Sequence, residues 1–522
     1  MRSKLWASAA GLVSAAVVLA VAEIAAVVAG AETSPLFAVG SFVIDLAPAG
    51  VKEFVIALFG TGDKAALLVL LGLVVAALAV AAGLLERRRP PFGVVVLVAV
   101  SGVAVLAVTT RAGASGFAAV PTVLGMVAGV LVLRMLIGRL AAWERAESVE
   151  RLSPSVGTTG PSTQARLDRR RFLGATGVAA VAAVFGGVLA RSMNATATAV
   201  SAVREAITLP VASTAAPAVP AGASLDVAGI TPYVTGNDSF YRIDTALQVP
   251  QVDSSNWALR ITGMVEQEIE LGYDELLALP LEEHLVTLAC VSNEVGGDLI
   301  GNALWLGYPI RLLLERAKPL AGADMVLSTS TDGFTAGSPL ESLTDPDRVA
   351  LLAVGMNGDP LPVEHGFPVR MVVAGLYGYV SATKWVVELK VTRFADAEGY
   401  WTPRGWSALG PIKTESRIDV PSAGASVEAG TVAVAGVAWA QHTGITAVEV
   451  RIDDGEWSPA RLADTAGVDT WVQWVYEWDA PSGEHMISVR ATDASGYTQT
   501  SAEAPPAPDG ATGWDSHRVI VT

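Results

Sequence analysis

Cysteine and histidine are scarce in this sequence of 522 residues, and their positions are informative. The only cysteine is Cys290, so the chain cannot form an intrachain disulfide. The five histidines all lie in the second half of the chain: His284, His365, His442, His485 and His517. Residues 1–191 contain neither residue type, which excludes a bis-histidine haem or a cysteine-bound iron–sulfur cluster there. We therefore expect neither haem nor an iron–sulfur cluster.

Charge is also sparse and unevenly placed. Charged residues make up 16% of the chain and hydrophobic residues 52%, which is too apolar for an ordinary soluble enzyme. Residues 1–191 carry 17 Lys/Arg against 10 Asp/Glu, whereas residues 192–522 carry 18 against 41. A basic, apolar front half and an acidic back half indicate a membrane part joined to a water-exposed part. The acidity argues against a nucleic acid partner.

Long apolar runs fill the front half. Five of them approach the roughly 20 residues that a helix needs to cross a membrane: 5–30, 64–85, 92–110, 117–138 and 172–190. A further run, 35–60, is interrupted by charge and proline, and we expect it to lie in the interface or to re-enter. Lys and Arg cluster in alternate loops, as at Arg87–Arg89, which predicts a cytoplasmic N-terminus. The chain is thus predicted to be a multi-pass bacterial cell-membrane protein with an extracytoplasmic C-terminal half.

The fifth apolar run follows DRRRFL (residues 168–173), which resembles the twin-arginine export motif. The arginines alone also fit an ordinary positive-inside flank, but Phe172 and Leu173 at this spacing favour export. That route carries folded proteins, so it suits a domain that acquires a cofactor in the cytoplasm. Residues 195–197 could be a cleavage site, but we expect this span to remain as an anchor.

The pattern changes after residue 191. Residues 192–225 are rich in Ala, Thr, Pro and Val and are expected to form a linker. Short strands, turns and helices in 226–412 predict a mixed α+β domain. Residues 413–522 alternate strands with turns, and about seven strands predict an immunoglobulin-like sandwich. The fold class is therefore an all-α membrane bundle of five spans (1–191), an α+β domain and a β-sandwich.

Cys290 ends a predicted strand, and a Gly-Gly turn follows it. A helix is expected after this turn, around residues 303–316. A thiolate in such a place can be a nucleophile, a redox centre or a soft-metal ligand. The alternative is an inert buried cysteine, which behaves as a small hydrophobe.

Several motifs in order resemble the sulfite oxidase family of molybdopterin enzymes. They are residues 290–300 with WLG (305–307), MNGDPLPVEHGFPVR (356–370) and VVAGLYGYVSATKW (372–385). FYRID (240–244) resembles the opening motif of that family. The resemblance covers about residues 231–522 and implies a molybdenum–molybdopterin cofactor.

The resemblance also implies roles for single residues. Cys290 would be the metal's thiolate ligand, because a soft sulfur suits a metal that changes oxidation state. The other implied cofactor-binding residues are Tyr241, Arg242, His365, Arg370, Thr383 and Lys384, the last two in a phosphate-binding segment. Arg242 and Arg404 would steer substrate, and Trp406 would wall the pocket.

The sequence departs from the family's pattern near the expected substrate. Glu294 stands where the family has an arginine, Tyr379–Ser381 replace a G-x-R segment, and Trp406 replaces an active-site tyrosine. A sulfite dianion needs several cations to offset its desolvation. We therefore expect an uncharged S-oxide or N-oxide, either small or on a protein, in place of sulfite.

Two alternatives stay open at this point. The first is a true sulfite oxidase or dehydrogenase, and the second is a cofactor-free surface protein that binds a partner. An oxidoreductase would need an electron donor or acceptor, either a cytochrome or a quinone-linked protein. The C-terminal sandwich resembles the family's dimerisation domain, which allows a homodimer.

Overall fold

The computed structural model describes residues 2–29, 33–46, 63–110, 116–152, 163–193, 196–246 and 249–522. Most of the interrupted run, from residue 47 to 60, and the start of the cleavage-site candidate at Ala195 lie outside these ranges. The chain divides into two compact units. The first is Met1–Ala199 with Thr245–Gln248, and the second is Val200–Asp244 with Val249–Thr522.

The first unit is helical. Its helices are α1 (Arg2–Ala29), α2 (Pro35–Leu46), α3 (Asp63–Arg88), α4 (Phe92–Thr109), α5 (Val120–Leu152) and α6 (Thr163–Met193). Helix α1 packs against α3, α5 and α6. Small residues permit this close approach, since a Cβ on Gly11 of α1 would collide with the backbone of Ala79, and one on Gly83 with that of Ala7.

Four helices in the described part of the chain are long and apolar enough to cross a membrane. They are Ser3–Ala26, Ala66–Arg88, Phe92–Thr109 and Val120–Val149. The expectation of five spans is thereby corrected to four. The fifth run is helical within α6, but the side chains described there, residues 166–184, begin with the charged DRRR segment. Helix α2 has 12 residues and is too short to span alone.

The α+β part of the second unit contains two five-stranded sheets. One has the order β2 (Ile269–Gly272), β1 (Ala258–Gly263), β10 (Val386–Thr392), β5 (Met325–Ser330), β6 (Thr335–Pro339). The other has the order β3 (Glu282–Ala289), β4 (Ile300–Pro309), β7 (Ala350–Met356), β8 (Asp359–Pro360), with β9 (Arg370–Val373) beside β7. Helix α7 (Thr196–Ala206) begins in the first unit and ends in the second, and the further helices are α8 (Tyr273–Leu277), α9 (Ile310–Ala317), α10 (Leu340–Thr344) and α11 (Gly378–Ser381).

The strand predicted before Cys290 is confirmed as β3, but the helix expected around residues 303–316 is wrong in its first half. Residues 300–309 form β4, in which Trp305 pairs with His284 of β3 and with Met356 of β7. Strand pairing of β4 with β3 and with β7 overrides the helical preference of these residues. Helix α9 begins only after Pro309, a residue suited to a helix start.

The C-terminal part is a sandwich of two sheets, as predicted. One sheet has the order β11 (Glu415–Val420), β13 (Gly430–Trp439), β17 (Val472–Ala480), β16 (Arg461–Leu462). The other has the order β12 (Ser426–Val427), β19 (Asp515–Val521), β18 (Gly483–Asp493), β14 (Ile445–Ile452), β15 (Ser458–Pro459). Side chains such as Trp474, Ile487 and Val489 fill the space between them.

The sandwich is hydrogen-bonded to the strand that precedes Cys290. The Thr287 N–H donates to the Asp469 carbonyl at 2.9 Å, and the Thr287 hydroxyl accepts from the Trp471 N–H at 2.8 Å. The Thr287 carbonyl accepts from Gln441 Nε2 at 3.0 Å. Three bonds from the sandwich therefore fix the backbone close to the cysteine.

Candidate active site

Cys290 is buried in a turn of backbone amides at the end of β3. Its own N–H donates to the Leu299 carbonyl at 2.9 Å, and the Ser292 N–H points at Sγ, 3.4 Å away. Burial raises the pKa of the Cys290 thiol, and hydrogen bonds from the Ser292 amide and side chain oppose this only in part. A thiolate at this position therefore requires a neighbouring positive charge, such as a metal ion.

Tyr241 and Arg370 share the buried space around Cys290. Burial raises the pKa of Tyr241, the Cys290 charge adds to this, and Arg370 opposes it. The Arg370 guanidinium donates to the carbonyls of His365 (3.2 Å) and Met371 (3.3 Å), and its Cζ lies 5.0 Å from the ring centroid of Trp305. Burial lowers the pKa of Arg370 to about 10.

Within the described residues, the Arg370 guanidinium donates to backbone carbonyls and not to carboxylates. The residue is only 5% exposed. A buried cation in this state is costly unless an anion joins it. The site therefore favours an anionic group, such as the phosphate of a pterin cofactor.

His365 lies beside Arg370 and is also buried. Its Nε2 donates to the Asn237 carbonyl at 3.1 Å, and its ring packs edge-on against Phe240, with 5.6 Å between centroids. Burial, followed by the Arg370 charge, lowers the pKa of His365 to about 4. The imidazole is therefore neutral at physiological pH, and Nδ1 is left as an acceptor for a ligand.

Lys384 and Arg242 meet at Asp244. The same carboxylate oxygen, Oδ2, lies 2.9 Å from Lys384 Nζ and 2.9 Å from Arg242 Nε. Burial lowers the pKa of Lys384 to about 8, although Asp244 opposes the shift. Asp244 is absent from the residues singled out in the sequence, although it closes the FYRID motif.

Gly366 allows Arg370 and Lys384 to come together. Its φ is +114°, and a Cβ there would lie 2.9 Å from the Cβ of Arg370 and 3.2 Å from that of Lys384. The cluster then contains three basic side chains (Arg242, Arg370, Lys384) around one carboxylate, Asp244. This surplus of positive charge fits a phosphate-bearing cofactor.

Thr383 is fully buried and is held by the protein itself. Its hydroxyl lies 2.7 Å from the Ser328 hydroxyl, and its carbonyl accepts from the Met371 N–H at 2.9 Å. These bonds attach the predicted phosphate-binding segment to β5 and β9. Thr383 thus positions the neighbouring Lys384.

Arg404 and Trp406 lie in a separate aromatic group. The Arg404 guanidinium stacks over the Tyr400 ring, 3.7 Å from its centroid. Trp406 is buried, with its ring centroid 5.9 Å from that of Tyr379 and 6.1 Å from that of Trp401. Tyr379 belongs to α11, which also presents Gly378 to the Ala289 carbonyl and the Tyr241 hydroxyl. Trp406 therefore contacts α11, which in turn lies beside Ala289, the residue before Cys290.

Two further buried groups lie near the cluster and were not identified from the sequence. Tyr377 is 2% exposed, and its pKa is raised by burial, by Glu415 and by Cys290. Glu415 has an Oε1 atom without a hydrogen-bond partner in the described structure, and burial raises its pKa to about 8. Tyr377 lies in the GLYGY motif, but nothing in the local sequence distinguishes Glu415.

Asn293 supplies a buried donor beside the cysteine. Its Oδ1 accepts from the Leu299 N–H at 2.8 Å, while Nδ2 has no hydrogen-bond partner among the described atoms. A buried donor in this state indicates space for an acceptor on a ligand. The residues present therefore fit a cofactor that carries polar and anionic groups.

Comparison with protein families gives two matches along this chain. Residues 246–401 match the family described as "Oxidoreductase molybdopterin binding domain". Residues 415–489 match the family described as "Bacterial Ig domain". The two matches fall on the α+β part and on the sandwich.

Similar proteins include a mouse mitochondrial sulfite oxidase, 28% identical over 321 residues, which cover 52% of this chain and 58% of the mouse protein. An uncharacterized oxidoreductase of Bacillus subtilis, YuiH, is 30% identical over 158 residues, which cover 30% of this chain and 76% of YuiH. The chain thus spans somewhat over half the length of the mouse relative. Among solved structures, the sulfane dehydrogenase SoxCD from Paracoccus pantotrophus matches at 21% identity with a TM-score of 0.49, over 56% of this chain and 85% of that one.

Proposed function

Because the chain belongs to the sulfite oxidase family of molybdopterin-binding oxidoreductases, we propose that it is a membrane-anchored enzyme that reduces an uncharged S-oxide or N-oxide. The reaction consumes two electrons and two protons for each oxide and releases water. A cytochrome or a quinone-linked protein supplies the electrons.

The observation that carries this proposal is the buried Cys290 thiol beside a surplus of buried cations. A molybdenum cofactor supplies two-electron oxygen-atom transfer when it is bound. Cys290 would hold the metal, and Arg370 and Lys384 would face the anionic part of the cofactor. Neutral His365 would accept a hydrogen bond from it through Nδ1.

The charges around the site support an uncharged substrate. Arg242 is already bound to Asp244, and Arg404 is stacked on Tyr400. Glu294 is exposed where an arginine would attract an anion. A dianion such as sulfite would lose its hydration without gaining enough positive charge in return.

The membrane location is part of the same proposal. The four apolar helices, the alternating Lys and Arg in their loops and the DRRRFL segment support a cytoplasmic N-terminus. Because four spans return the chain to the cytoplasmic side, the second unit would lie outside only if helix α6 also crosses the membrane, and the twin-arginine route would carry its folded, cofactor-loaded form across. The sandwich allows a homodimer.

Metal analysis of the purified chain tests the cofactor assignment. We expect about one molybdenum per wild-type chain and, for Cys290→Ser, at least about a tenfold loss, because the metal loses its soft ligand. Ser292→Ala is the matched control, since it leaves the 292 amide and the thiol in place. A wild-type protein without molybdenum would favour the cofactor-free binding protein.

A substrate comparison tests the reaction. Reduction of sulfoxides and N-oxides is measured with a reduced viologen dye, and sulfite oxidation is measured with ferricyanide. We expect turnover of the uncharged oxides to exceed that of sulfite. Faster sulfite oxidation would identify a true sulfite oxidase or dehydrogenase.

A further inference from the structure

The second unit contains a cavity of about 340 Å³ between the start of β11, the end of β18 and the segment before β19. Glu415 forms part of its wall and is 4% exposed. The Oε1 atom of Glu415 is fully enclosed and has no hydrogen-bond partner in the described structure. A buried polar atom in this state is rare in folded proteins and calls for a functional or ligand-based reason.

The other titratable groups in the cavity wall are already engaged or open to solvent. Lys413 Nζ lies 2.9 Å from the Asp509 carboxylate. Asp493 accepts from a neighbouring threonine hydroxyl and from backbone amides, and Tyr497 is exposed. Glu415 is therefore the carboxyl group of this wall that has an enclosed oxygen without a partner, within the described residues.

Tyr377 lies on the buried side of Glu415. It is 2% exposed, and its N–H donates to the Gly410 carbonyl at 2.8 Å. Gly510 packs against its hydroxyl, since a Cβ built on Gly510 would lie 2.6 Å from that oxygen. After burial, the charge of Glu415 is the next cause that raises the pKa of Tyr377. The Tyr377 hydroxyl therefore lies close to the wall of the cavity.

Tyr377 also reaches the strand end that carries the thiol. The next residue, Gly378, lies against the Ala289 carbonyl, which a Cβ on Gly378 would approach to 3.7 Å. The Cys290 charge also raises the pKa of Tyr377. Tyr377 is thus placed between Glu415 and Cys290.

A second unpartnered polar atom faces the same side as Glu415. Trp439 of β13 lies directly opposite Glu415 of β11, and paired residues present their side chains on one face of a sheet. The Trp439 Nε1 donor is buried and has no partner in the described structure. This indole donor and the carboxyl acceptor of Glu415 are suitable partners for a buried water molecule.

We infer that Glu415 and Tyr377 conduct protons from this cavity to the buried space beside Cys290, with water between the two side chains. The inference rests on the proposed function, because the reduction of each oxide consumes two protons. In each transfer, Glu415 gives its proton through the water to the Tyr377 oxygen, while the Tyr377 O–H gives its own proton to the buried space. The Glu415 carboxylate then takes a proton from solvent in the cavity, and no electrons move.

The protonation of Glu415 suits this role. Burial raises its pKa to about 8, and Lys413 opposes the shift. The carboxyl therefore carries a proton at neutral pH and can release it near that pH, as a proton donor in catalysis must.

The first test measures oxide reduction by variants of the full, cofactor-loaded chain. At pH 7, Glu415→Gln is expected to lower kcat by about tenfold to a hundredfold, and Glu415→Asp by less. Wild-type kcat should fall as the pH rises above 8, and Glu415→Gln should lack this fall. Glu503→Gln is the matched control, since Glu503 is exposed and touches Gly513 of the cavity wall.

Tyr377→Phe should lower kcat by a similar factor, and the double variant should lose no more than either single variant, because both groups serve one route. A double variant whose losses multiply would overturn the inference. A wild-type pH profile in Glu415→Gln would overturn it as well.

Infrared spectroscopy of the full chain without cofactor gives a readout that does not depend on turnover. The carboxyl band of protonated Glu415 is identified by its loss in Glu415→Gln, and it should disappear between pH 7 and pH 9. Tyr377→Phe should shift this band, because the hydrogen-bonded chain through water is broken. An unshifted band would overturn the connection. If wild type reduces no oxide, the proposed function fails, and the band shift still decides whether Glu415 and Tyr377 are connected.

Discussion

The two units treat buried charge in different ways. In the helical unit, Arg87 pairs with Glu144, and Glu86 accepts a hydrogen bond at the N-terminus of α4, so each of these three charges has a partner. In the second unit, Arg370 and Lys384 are buried close together, and Asp244 is the carboxylate that binds one of them.

The difference shows how an absent ligand can be inferred. In a buried ion pair each charge already has a partner of opposite charge, so the pair carries little information about a bound ligand. A buried cation that donates only to carbonyls has no opposite charge beside it until an anion binds. This criterion supports a cofactor phosphate at Arg370.

Replacing Arg370 breaks this comparison most directly. In protein produced without molybdopterin, Arg370→Met is expected to raise the free energy of unfolding by about 1–3 kcal/mol, because it removes a buried charge without an anion. In protein produced with the cofactor, the same change is expected to reduce cofactor retention by about a hundredfold or more. Melting followed by tryptophan fluorescence and metal analysis measure the two effects.

Arg242→Met is the matched control, because Arg242 is 38% exposed and paired with Asp244. Its effect on the apo protein should stay below about 1 kcal/mol. If Arg370→Met destabilises the apo protein instead, the guanidinium is a structural group and not a prepared anion site.

Glu415 tests the same comparison with a buried carboxyl group in place of a buried cation. Its folded pKa of about 8 exceeds its ordinary value, so the folded state holds the proton more tightly and this stability is lost as the pH rises towards 8. Glu415→Gln keeps a neutral side chain at all pH values. At pH 9 we expect the variant to be more stable than wild type by roughly 2–4 kcal/mol, and at pH 5 we expect no difference.

Melting temperatures across this pH range measure the Glu415 effect. Parallel curves for wild type and Glu415→Gln would contradict the buried, protonated carboxyl. A difference that grows at low pH would have the wrong sign and would contradict it as well.

The smallest expected effect comes from Glu294, which is exposed and not part of the buried cluster. Glu294→Arg should raise kcat/KM for sulfite by about tenfold, because it places a cation near the site, and should leave sulfoxide turnover unchanged. Asp298→Arg makes a similar change in charge at an exposed position on the same loop. An equal gain from Asp298→Arg would indicate general attraction and not a local contact.

Much of the fold could be predicted because its signals are local. Long apolar runs predict the membrane helices, and alternation with turns predicts the sandwich. The β4 strand could not be predicted in the same way, since Trp305 becomes part of a strand through pairing with His284 and Met356. The fifth predicted span is not among the four long apolar helices of the described residues, since the part of its helix with described side chains begins with an arginine cluster.

The candidate site also contains residues that local motifs predict and residues that only the tertiary fold reveals. Cys290, His365, Arg370 and Lys384 were predicted from motifs, and the structure places them in one cluster with Tyr241, although their roles remain predictions. Asp244 lies 140 residues from Lys384 in the sequence, so their contact needed the fold. Glu415 acquires its raised pKa only from burial, which no local pattern indicates.

The three hydrogen bonds that Thr287 makes with the loops of the sandwich have a practical consequence for anyone who shortens this protein. A fragment that stops before residue 413 would expose those backbone groups to solvent and release the strand that carries the thiol. The sandwich therefore supports the strand that leads to Cys290, and a minimal fragment must include it.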